Sequence, residues 1–281
     1  MLRNRHFLLL WFVNIVTTLA IELFTITILV TIFKQTDSTL QAAGTMAARM
    51  LPSFLLGPIA GVFVDRFRRK NVLLSMDVAR LLMVGAAIWL LQGTGDTSVV
   101  GLYVIIIGLS AADAFHRPAR ISLIPSLVSK EELVKANSFI LATNQIVMAV
   151  SFTLGGWLIQ IMPLKQIALG IVSLFAISIV ALLFISVARR TKSNPNEKEE
   201  SVWQAFISGW NYLKQHPIAR PLTIMETIEH LPHGIWNGAL MLVFVIDALG
   251  GGTAEWGYQV TGYFAGMIVG SFAALAMSGW L

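Results

Sequence analysis

The sequence predicts an all-α membrane protein with about 7.5 transmembrane helices. The 281-residue chain is 56% hydrophobic and only 12% charged, whereas an ordinary soluble domain is about a quarter charged. Apolar stretches long enough to cross lipid, about 17 to 25 residues each, recur along the whole length. The Lys and Arg residues fall mainly on alternate connections between these stretches.

Eight apolar stretches define the predicted spans, and the last of them reaches the final residue. The first is too long to be the apolar core of a cleavable signal peptide, which has about 7 to 15 residues. The predicted spans are Phe7–Phe33, Leu40–Val64, Asn71–Leu91, Ser98–Phe115, Ala136–Met162, Gln166–Ala188, Leu222–Leu249 and Trp256–Leu281. Ser129 and Glu132 form a capping box that is expected to begin the fifth span.

The placement of the cations predicts the orientation of the chain. With a cytoplasmic N-terminus, sixteen of the twenty Lys and Arg residues lie on the inner side, and only Lys34 and Lys165 lie in outer loops. Such a bias is the positive-inside signature of a multi-pass membrane protein. The net charge of +5 therefore reports topology, and no nucleic-acid partner is predicted.

Composition and motifs disfavour several function classes. The chain has no Cys, which removes disulfides and thiolate metal ligands. It contains neither Gly-x-Ser-x-Gly nor His-Glu-x-x-His, and nothing in it resembles the filter loop of a channel. We therefore predict no enzymatic activity, no catalytic residues, no cofactor and no metal, with a membrane-embedded enzyme as a weaker alternative.

The inner connection after the sixth span divides the chain. Its segment TKSNPNEKEE contains no apolar residue, as expected of a linker. The next segment predicts an amphipathic helix that lies on the inner membrane surface or packs on protein, because apolar residues recur at helical spacing. They are Trp203, Phe206, Ile207, Trp210 and Leu213. We predict a six-helix bundle over residues 1–188, a cytoplasmic linker with this helix over 189–220, and the start of a second bundle over 221–281.

The inner connection between the second and third spans contains the sequence GVFVDRFRRKNVL. It resembles the signature loop of the major facilitator superfamily, whose pattern is Gly-x-x-x-Asp-Arg-x-Gly-Arg-Lys-x-x-Leu. Arg68 replaces the second glycine of that pattern. The matching positions are Gly61, Asp65, Arg66, Arg69, Lys70 and Leu73. The segments MDVAR and RPARISLIPSLVSKEELVKANSF are similar to the bacterial exporter branch that includes macrolide-efflux and enterobactin-export proteins.

This resemblance implies a major facilitator fold, with the N-terminal six-helix bundle and the opening of the C-terminal bundle, truncated in helix 8. It also implies a secondary-active transporter in the bacterial inner membrane that exports a mid-sized amphipathic small molecule by alternating access, coupled to protons. The partners are then the substrate, protons, the lipid bilayer and a missing C-terminal half. The alternative is a non-transporting remnant, or one part of a full transporter.

Two roles are open for the signature loop. The resemblance implies that Asp65 contacts a helix of the second half and latches one state of the transport cycle. Gly61 would let another helix come close, and Arg66, Arg69 and Lys70 would neutralise nearby carboxylates or lipid head groups. In the other role the charges are ordinary inner-side anchors, which suits the cations better than it suits Asp65.

Charged residues inside spans usually have a partner or a function, because each is costly to insert. Glu22 and Arg49 each lie about ten residues from the outer ends of spans one and two, roughly 15 Å deep, so they can pair across the hairpin. The pair is either structural or places a titratable carboxylate at a central cavity. Both possibilities remain open from the sequence.

Two more pairs lie near the inner ends of spans three and four. Asp77 and Arg80 share one helical face, and Asp113 and Arg117 share another. We predict that both pairs belong to one cytoplasmic charge network, level with the signature loop. Structural support is favoured over substrate contact for each pair.

Span seven opens with four titratable residues on one helical face. They are Glu226, Glu229, His230 and His233. Three roles are possible: proton coupling or substrate binding, a solvated helix start, or a metal site, for which no distant ligand is apparent.

Span five contains SFTLGG, which keeps the Gly155-Gly156 pair of the family's antiporter motif. Ser151 and Phe152 stand where the family has Gly-Pro, and span four lacks the mid-helix arginine of many proton-driven exporters. The retained glycine pair is what the resemblance uses: it implies a helix-packing role for Gly155 and Gly156, and proton antiport by analogy.

Overall fold

The structure is a computed structural model that describes residues 3–90, 98–186, 202–235 and 240–277, where every regular element is helical. Short 3-10 turns over Ile124–Ser126 and Lys130–Glu132 connect α4 to α5, and a π-helical turn, Phe244–Ala248, follows α9. The helices are α1 Arg5–Thr36, α2 Thr39–Arg66, α3 Arg69–Leu90, α4 Val99–Leu123, α5 Leu133–Ile161, α6 Leu164–Leu183, α7 Val202–Gln215, α8 Ala219–Ile235, α9 Met241–Val243 and α10 Thr253–Met277.

Five helices in the described ranges are long and apolar enough to cross a membrane, and α2 makes six if its two parts form one span. The parts of α2, Thr39–Gly57 and Ile59–Arg66, meet at an angle of 58°. Pro58 stands at the junction, and a proline there removes one backbone donor from the helix. These six helices correspond to the six spans predicted within residues 1–188, and the all-α membrane class is confirmed.

Polar side chains fix where several helices begin. Asn4 accepts hydrogen bonds from the amides of His6, at 2.9 Å, and Phe7, at 3.4 Å, and so caps α1. Ser38 caps α2 by accepting from the Gln41 amide. Half of the capping box predicted before the fifth span forms. The Glu132 carboxylate accepts from the Ser129 amide, whereas the Ser129 hydroxyl caps no amide and the Glu132 amide bonds to the Ser129 carbonyl at 3.1 Å. The intervening residues therefore make a 3-10 turn, and α5 begins at Leu133.

Helix α1 occupies the centre of the bundle. It packs against α2, α5 and α6, while α4 packs between α2 and α3, and α3 also contacts α6. Fully buried side chains such as Phe24 and Ile28 anchor α1 in the core it shares with α3, α4 and α6. Helix α10 packs along α5. Side chains on α1, α3 and α4 therefore meet inside one bundle of six helices.

The structure describes the region after residue 188 in part. The predicted linker over Arg189–Glu200 lies outside the described residues. Helix α7 follows it, and on its apolar stripe Trp210 is exposed whereas Leu213 is half-buried. Within the predicted seventh span, Leu222–Leu249, the structure describes α8 up to Ile235 and helical backbone again from Leu240, while residues 236–239 lie outside the described residues.

Candidate functional site

Glu22 and Arg49 form an ion pair between α1 and α2. Arg49 Nη1 donates to Glu22 Oε2 at 2.8 Å, and Nη2 donates to Oε1. The Glu22 side chain is 7% exposed and that of Arg49 is 30% exposed. A planar guanidinium matches both carboxylate oxygens at once, so this bidentate pair holds Glu22 in one orientation. The structure thus brings these two residues together as the sequence predicts.

Arg80 joins α3 to α4. Its Nη1 donates to Asp77 Oδ1 at 2.9 Å, and its Nη2 donates to Asp113 Oδ1 at 2.6 Å. The predicted pairing of Asp113 with Arg117 is wrong, because Arg80 reaches Asp113 from the neighbouring helix. Arg117 is exposed, and within the described ranges no ion pair within 4 Å links it to a carboxylate.

His116 and Ser178 complete the surroundings of Asp77, and sequence reasoning missed both. His116 Nε2 lies 3.2 Å from Asp77 Oδ1, and Ser178 Oγ donates to Asp77 Oδ2 at 2.6 Å. His116 follows Asp113 by three residues, a spacing that places both on one face of α4 and was the available signal. Ser178 gives no such signal, since only the packing of α6 on α3 brings it to Asp77.

Six residues form what we call the buried charge network: Glu22, Arg49, Asp77, Arg80, Asp113 and His116. Arg49 also interacts electrostatically with Asp113, which links the two ion-paired groups. The network has sealed and open parts, because the Asp77 and Arg80 side chains are 0% exposed whereas that of Asp113 is 38% exposed. A sealed carboxylate connected to an open one can exchange protons with water only through its neighbours.

The network lies deeper than the sequence predicts. Asp77 follows Arg69 by eight residues on the same helix, which is about 12 Å along the axis at 1.5 Å per residue. The predicted position level with the signature loop is therefore wrong for Asp77 and Arg80. Both lie inside the bundle, where an unpaired charge would be costly.

The signature loop contacts the ends of two other helices. Lys70 Nζ donates to the carbonyl of Leu183, the last residue of α6, at 2.9 Å, and to that of Ile185, at 2.7 Å. Arg69 donates to the Ser122 carbonyl at the end of α4. These helix ends carry free carbonyls and the negative end of the helix dipole. The cations thus stabilise helix ends, where the sequence predicted contacts with carboxylates or lipid.

Asp65 is the exposed member of this loop. Its side chain is 68% exposed, with Arg69 Nη2 at 3.6 Å from Oδ1. Arg66 is exposed as well. Gly61 differs from expectation, since a Cβ placed there meets no atom within 4 Å. Within the described chain, Gly61 therefore does not provide the close helix approach that was predicted for it.

Gly155 and Gly156 lie where α5 packs between α1 and α10. A Cβ on Gly155 would come within 2.9 Å of Ile26 Cγ2, and one on Gly156 would collide with the Thr253 carbonyl. Thr253 Oγ1 donates to the Gly156 carbonyl at 3.0 Å. Close approach of this kind is what small residues permit between membrane helices.

Polar residues in α1 and α5 form a further contact that the sequence analysis did not identify. Asn14 Nδ2 donates to Asn144 Oδ1 at 2.7 Å, and Trp11 Nε1 donates to Thr143 Oγ1 at 3.1 Å. Asn14 is fully buried. Hydrogen bonds of this type hold membrane helices together and are hard to find in a sequence, because the two partners lie far apart in it.

The face of α8 that carries the four titratable residues is not part of the buried charge network. Glu226 and Glu229 are exposed. The side chains of His230 and His233 lie outside the described residues. Among the His, Asp and Glu side chains that the structure does describe, no group of three could hold a metal ion.

A family model described as Major Facilitator Superfamily matches residues 10–281. The MFS-type transporter YjbB of Bacillus subtilis is 28% identical to the chain over 282 residues, which cover 99% of the chain and 67% of that relative. Macrolide efflux protein A of Streptococcus pyogenes is 22% identical over 269 residues, which cover 94% of the chain and 64% of that relative. The MFS-type transporter Rv0037c of Mycobacterium tuberculosis is 31% identical over 182 residues, which cover 60% of the chain and 39% of that relative. The chain thus spans about two thirds or less of the length of these relatives.

Proposed function

The chain belongs to the major facilitator superfamily, and from that membership we propose that its protein is a proton-coupled exporter of a mid-sized amphipathic compound. The chain is a multi-pass membrane protein, and we place it in a bacterial cell membrane with a cytoplasmic N-terminus. Its cations favour this orientation, and the similar proteins named above come from bacteria. Transport would proceed by alternating access between two halves of the protein.

The observation that carries proton coupling is the buried charge network. Three carboxylates, Glu22, Asp77 and Asp113, lie in spanning helices together with two arginines and a histidine. Ionisable groups are rare in such helices and commonly belong to ion or proton pathways. Coupling would then depend on breaking and remaking the pair of Glu22 and Arg49 during the transport cycle.

Two observations support an amphipathic substrate and its export. An apolar groove of about 270 Å³ lies between α5 and α10, lined by Ile146, Val150 and Leu154 on one side and by Ala265 on the other, with the hydroxyls of Thr153 and Thr261 beside them. Apolar walls with a few polar groups are typical of small-molecule sites. In addition, one similar protein is named for macrolide efflux.

Asp65 would act as the latch between the halves. Its carboxylate is largely exposed, while Arg69 and Lys70 beside it are held by helix-end carbonyls. This arrangement leaves Asp65 available to a facing helix N-terminus, whose dipole attracts negative charge.

Efflux from cells tests the proposal. The gene is expressed in a bacterial host that lacks its main drug exporters, and cells loaded with ethidium or with a labelled macrolide are followed after glucose is added. We expect faster efflux than from cells with an empty vector, and loss of that difference with a protonophore or with Glu22→Gln. Glu255→Gln, an exposed carboxylate on α10, is the matched control. Uptake of a sugar without efflux of any amphipathic probe would contradict the proposal.

A further inference from the structure

We propose that Asp77 and His116 form a proton-binding pair inside the N-terminal bundle, separate from Glu22. In this site the imidazole of His116 takes up a proton from water, and the carboxylate of Asp77 stabilises the imidazolium that results. The inference deepens the proposed function, and it rests on that function only for its role in transport. Proton binding itself can be measured without a substrate.

The geometry around one carboxylate oxygen carries the inference. Asp77 Oδ1 accepts from Arg80 Nη1 at 2.9 Å, and His116 Nε2 lies 3.2 Å from the same oxygen. Nε2 is buried and makes no hydrogen bond in the observed orientation. A nitrogen lone pair this close to a carboxylate oxygen would be repelled, so the position suits a ring nitrogen that carries a hydrogen.

The pair is buried between packed helices. Asp77 is 0% exposed and His116 is 3% exposed. Asp77 belongs to α3, His116 to α4, and Ser178 on α6 holds the other carboxylate oxygen at 2.6 Å. Three helices are thus joined at one carboxylate, and a change of charge there acts on all three.

The charges that face the pair come from four helices. Arg80 on α3, together with Asp113 and Arg120 on α4, interacts electrostatically with one or both members of the pair. Arg49 on α2 and its partner Glu22 on α1 reach the pair through Asp113. On α6 the facing group is the neutral Ser178.

These charges balance when His116 is neutral. Glu22, Asp77 and Asp113 carry three negative charges, and Arg49, Arg80 and Arg120 carry three positive ones. A proton on His116 therefore leaves one unbalanced positive charge in a buried site, where such a charge is costly. Proton binding would favour any arrangement that moves an arginine toward water, and this is how it can drive a rearrangement of α3 and α4.

Asp113 is the member of the network through which a proton from water would enter. The Asp113 side chain is 38% exposed and accepts from Arg80, which in turn contacts Asp77. A proton would pass this open carboxylate on its way in, and a rotation of His116 toward Asp113, on the same face of α4, would bring the imidazole to it. Glu22 sits behind Arg49 and is not needed for this path.

Nitrogen NMR of the histidine rings tests the inference directly. The purified chain, labelled with 15N-histidine and embedded in lipid nanodiscs, is titrated from about pH 5 to 9, and ring shifts report the charge of each imidazole. The chain has five histidines, and His116→Gln assigns the signal. We expect His116 to pass between the neutral and charged forms with one midpoint. In Asp77→Asn that midpoint moves to lower pH by about one unit or more, because the stabilising carboxylate is lost.

Ser178→Ala provides a milder variant in case Asp77→Asn fails to fold. Removing the hydroxyl donor leaves more negative charge on Asp77, so the midpoint of His116 should move to higher pH. Asp37→Asn, an exposed carboxylate after α1, should leave it unchanged. The proposal is overturned if His116 keeps one charge state throughout the titration, or if its midpoint is the same in Asp77→Asn and Ser178→Ala as in the unmodified chain. A normal titration in a protein that exports nothing would instead reject the proposed function and leave this site standing.

Discussion

The ion pair of Glu22 and Arg49 is expected to contribute to the stability of the protein, and its two members contribute unequally. Glu22 is 7% exposed on its side chain, whereas Arg49 is 30% exposed. Arg49→Gln leaves a buried carboxylate without its cation, and we expect a loss of about 3 kcal/mol in the free energy of unfolding. Glu22→Gln should cost less, because the guanidinium can turn toward water. Thermal unfolding of the purified chain in detergent measures both.

The double variant Glu22→Gln/Arg49→Gln should lose less than the sum of the two single variants, since neither charge is then left alone. Arg117→Gln, at an exposed position on α4, is the matched control. Equal unfolding midpoints for Arg49→Gln and Arg117→Gln would show that the ion pair contributes nothing.

Asp65 is the opposite case, a charge that the described chain hardly uses. Its contact with Arg69 is 3.6 Å long and largely exposed, and exposed i,i+4 pairs are worth about 0.3–0.5 kcal/mol. We expect Asp65→Asn to keep the unfolding midpoint within error while lowering the efflux rate at least about tenfold, as loss of a latch contact worth roughly 1.4 kcal/mol would do.

The control for Asp65 is Asp37→Asn, since Asp37 is also exposed and lies outside the signature loop. Its φ of 47° is a conformation that Asn adopts as readily as Asp. Unchanged efflux in Asp65→Asn would leave the loop with a purely anchoring role.

At the scale of helices, α5 and α10 meet through small residues. Gly156 faces the Thr253 carbonyl, and a Cβ on Gly257 would come within 2.6 Å of the Phe152 carbonyl. Thr153 and Thr261 join their hydroxyls between the two helices. All of these contacts require the two helix backbones to lie close together, so they are lost if the helices move apart.

A disulfide trap measures this approach. The chain has no cysteine, so Thr153→Cys/Thr261→Cys contains only the introduced pair, which should oxidise rapidly in membranes. Adding Gly156→Val should lower the crosslinked fraction severalfold, because the new side chain would collide with the Thr253 carbonyl and push α10 away. Gly170→Val has open space around it and should not change the yield. Full crosslinking in the Gly156→Val protein would show that the helices do not depend on this contact.

At the scale of the whole molecule, the orientation in the membrane can be tested by labelling. Lys34→Cys lies in the last turn of α1, whereas Lys130→Cys lies between α4 and α5, and both positions are exposed. In intact cells we expect a membrane-impermeant maleimide to label Lys34→Cys, and to label Lys130→Cys only after permeabilisation. The reverse pattern would place the N-terminus outside the cell and contradict the interpretation of the cation bias.

The sequence predicted those parts of the site whose signal lies within one stretch of the chain. Glu22 and Arg49 were found because two charges stand out in apolar spans at matching depth. The partner of Asp113 was predicted wrongly, because helical spacing favours Arg117 while the structure brings in Arg80 from α3. The roles of Lys70 and Arg69 at helix ends were missed for the same reason, since the carbonyls they bind belong to distant segments.

The sequence by itself determined the membrane class, the six spans of the first bundle and the bias of its cations, because hydrophobic length and charge are properties of contiguous residues. Only the tertiary structure decided that His116, Ser178 and Arg80 meet at one buried carboxylate. Those residues come from three helices, and their meeting depends on how the helices rotate and pack. That rotation is set by the fit of whole helix faces in the bundle, which no single stretch of sequence encodes.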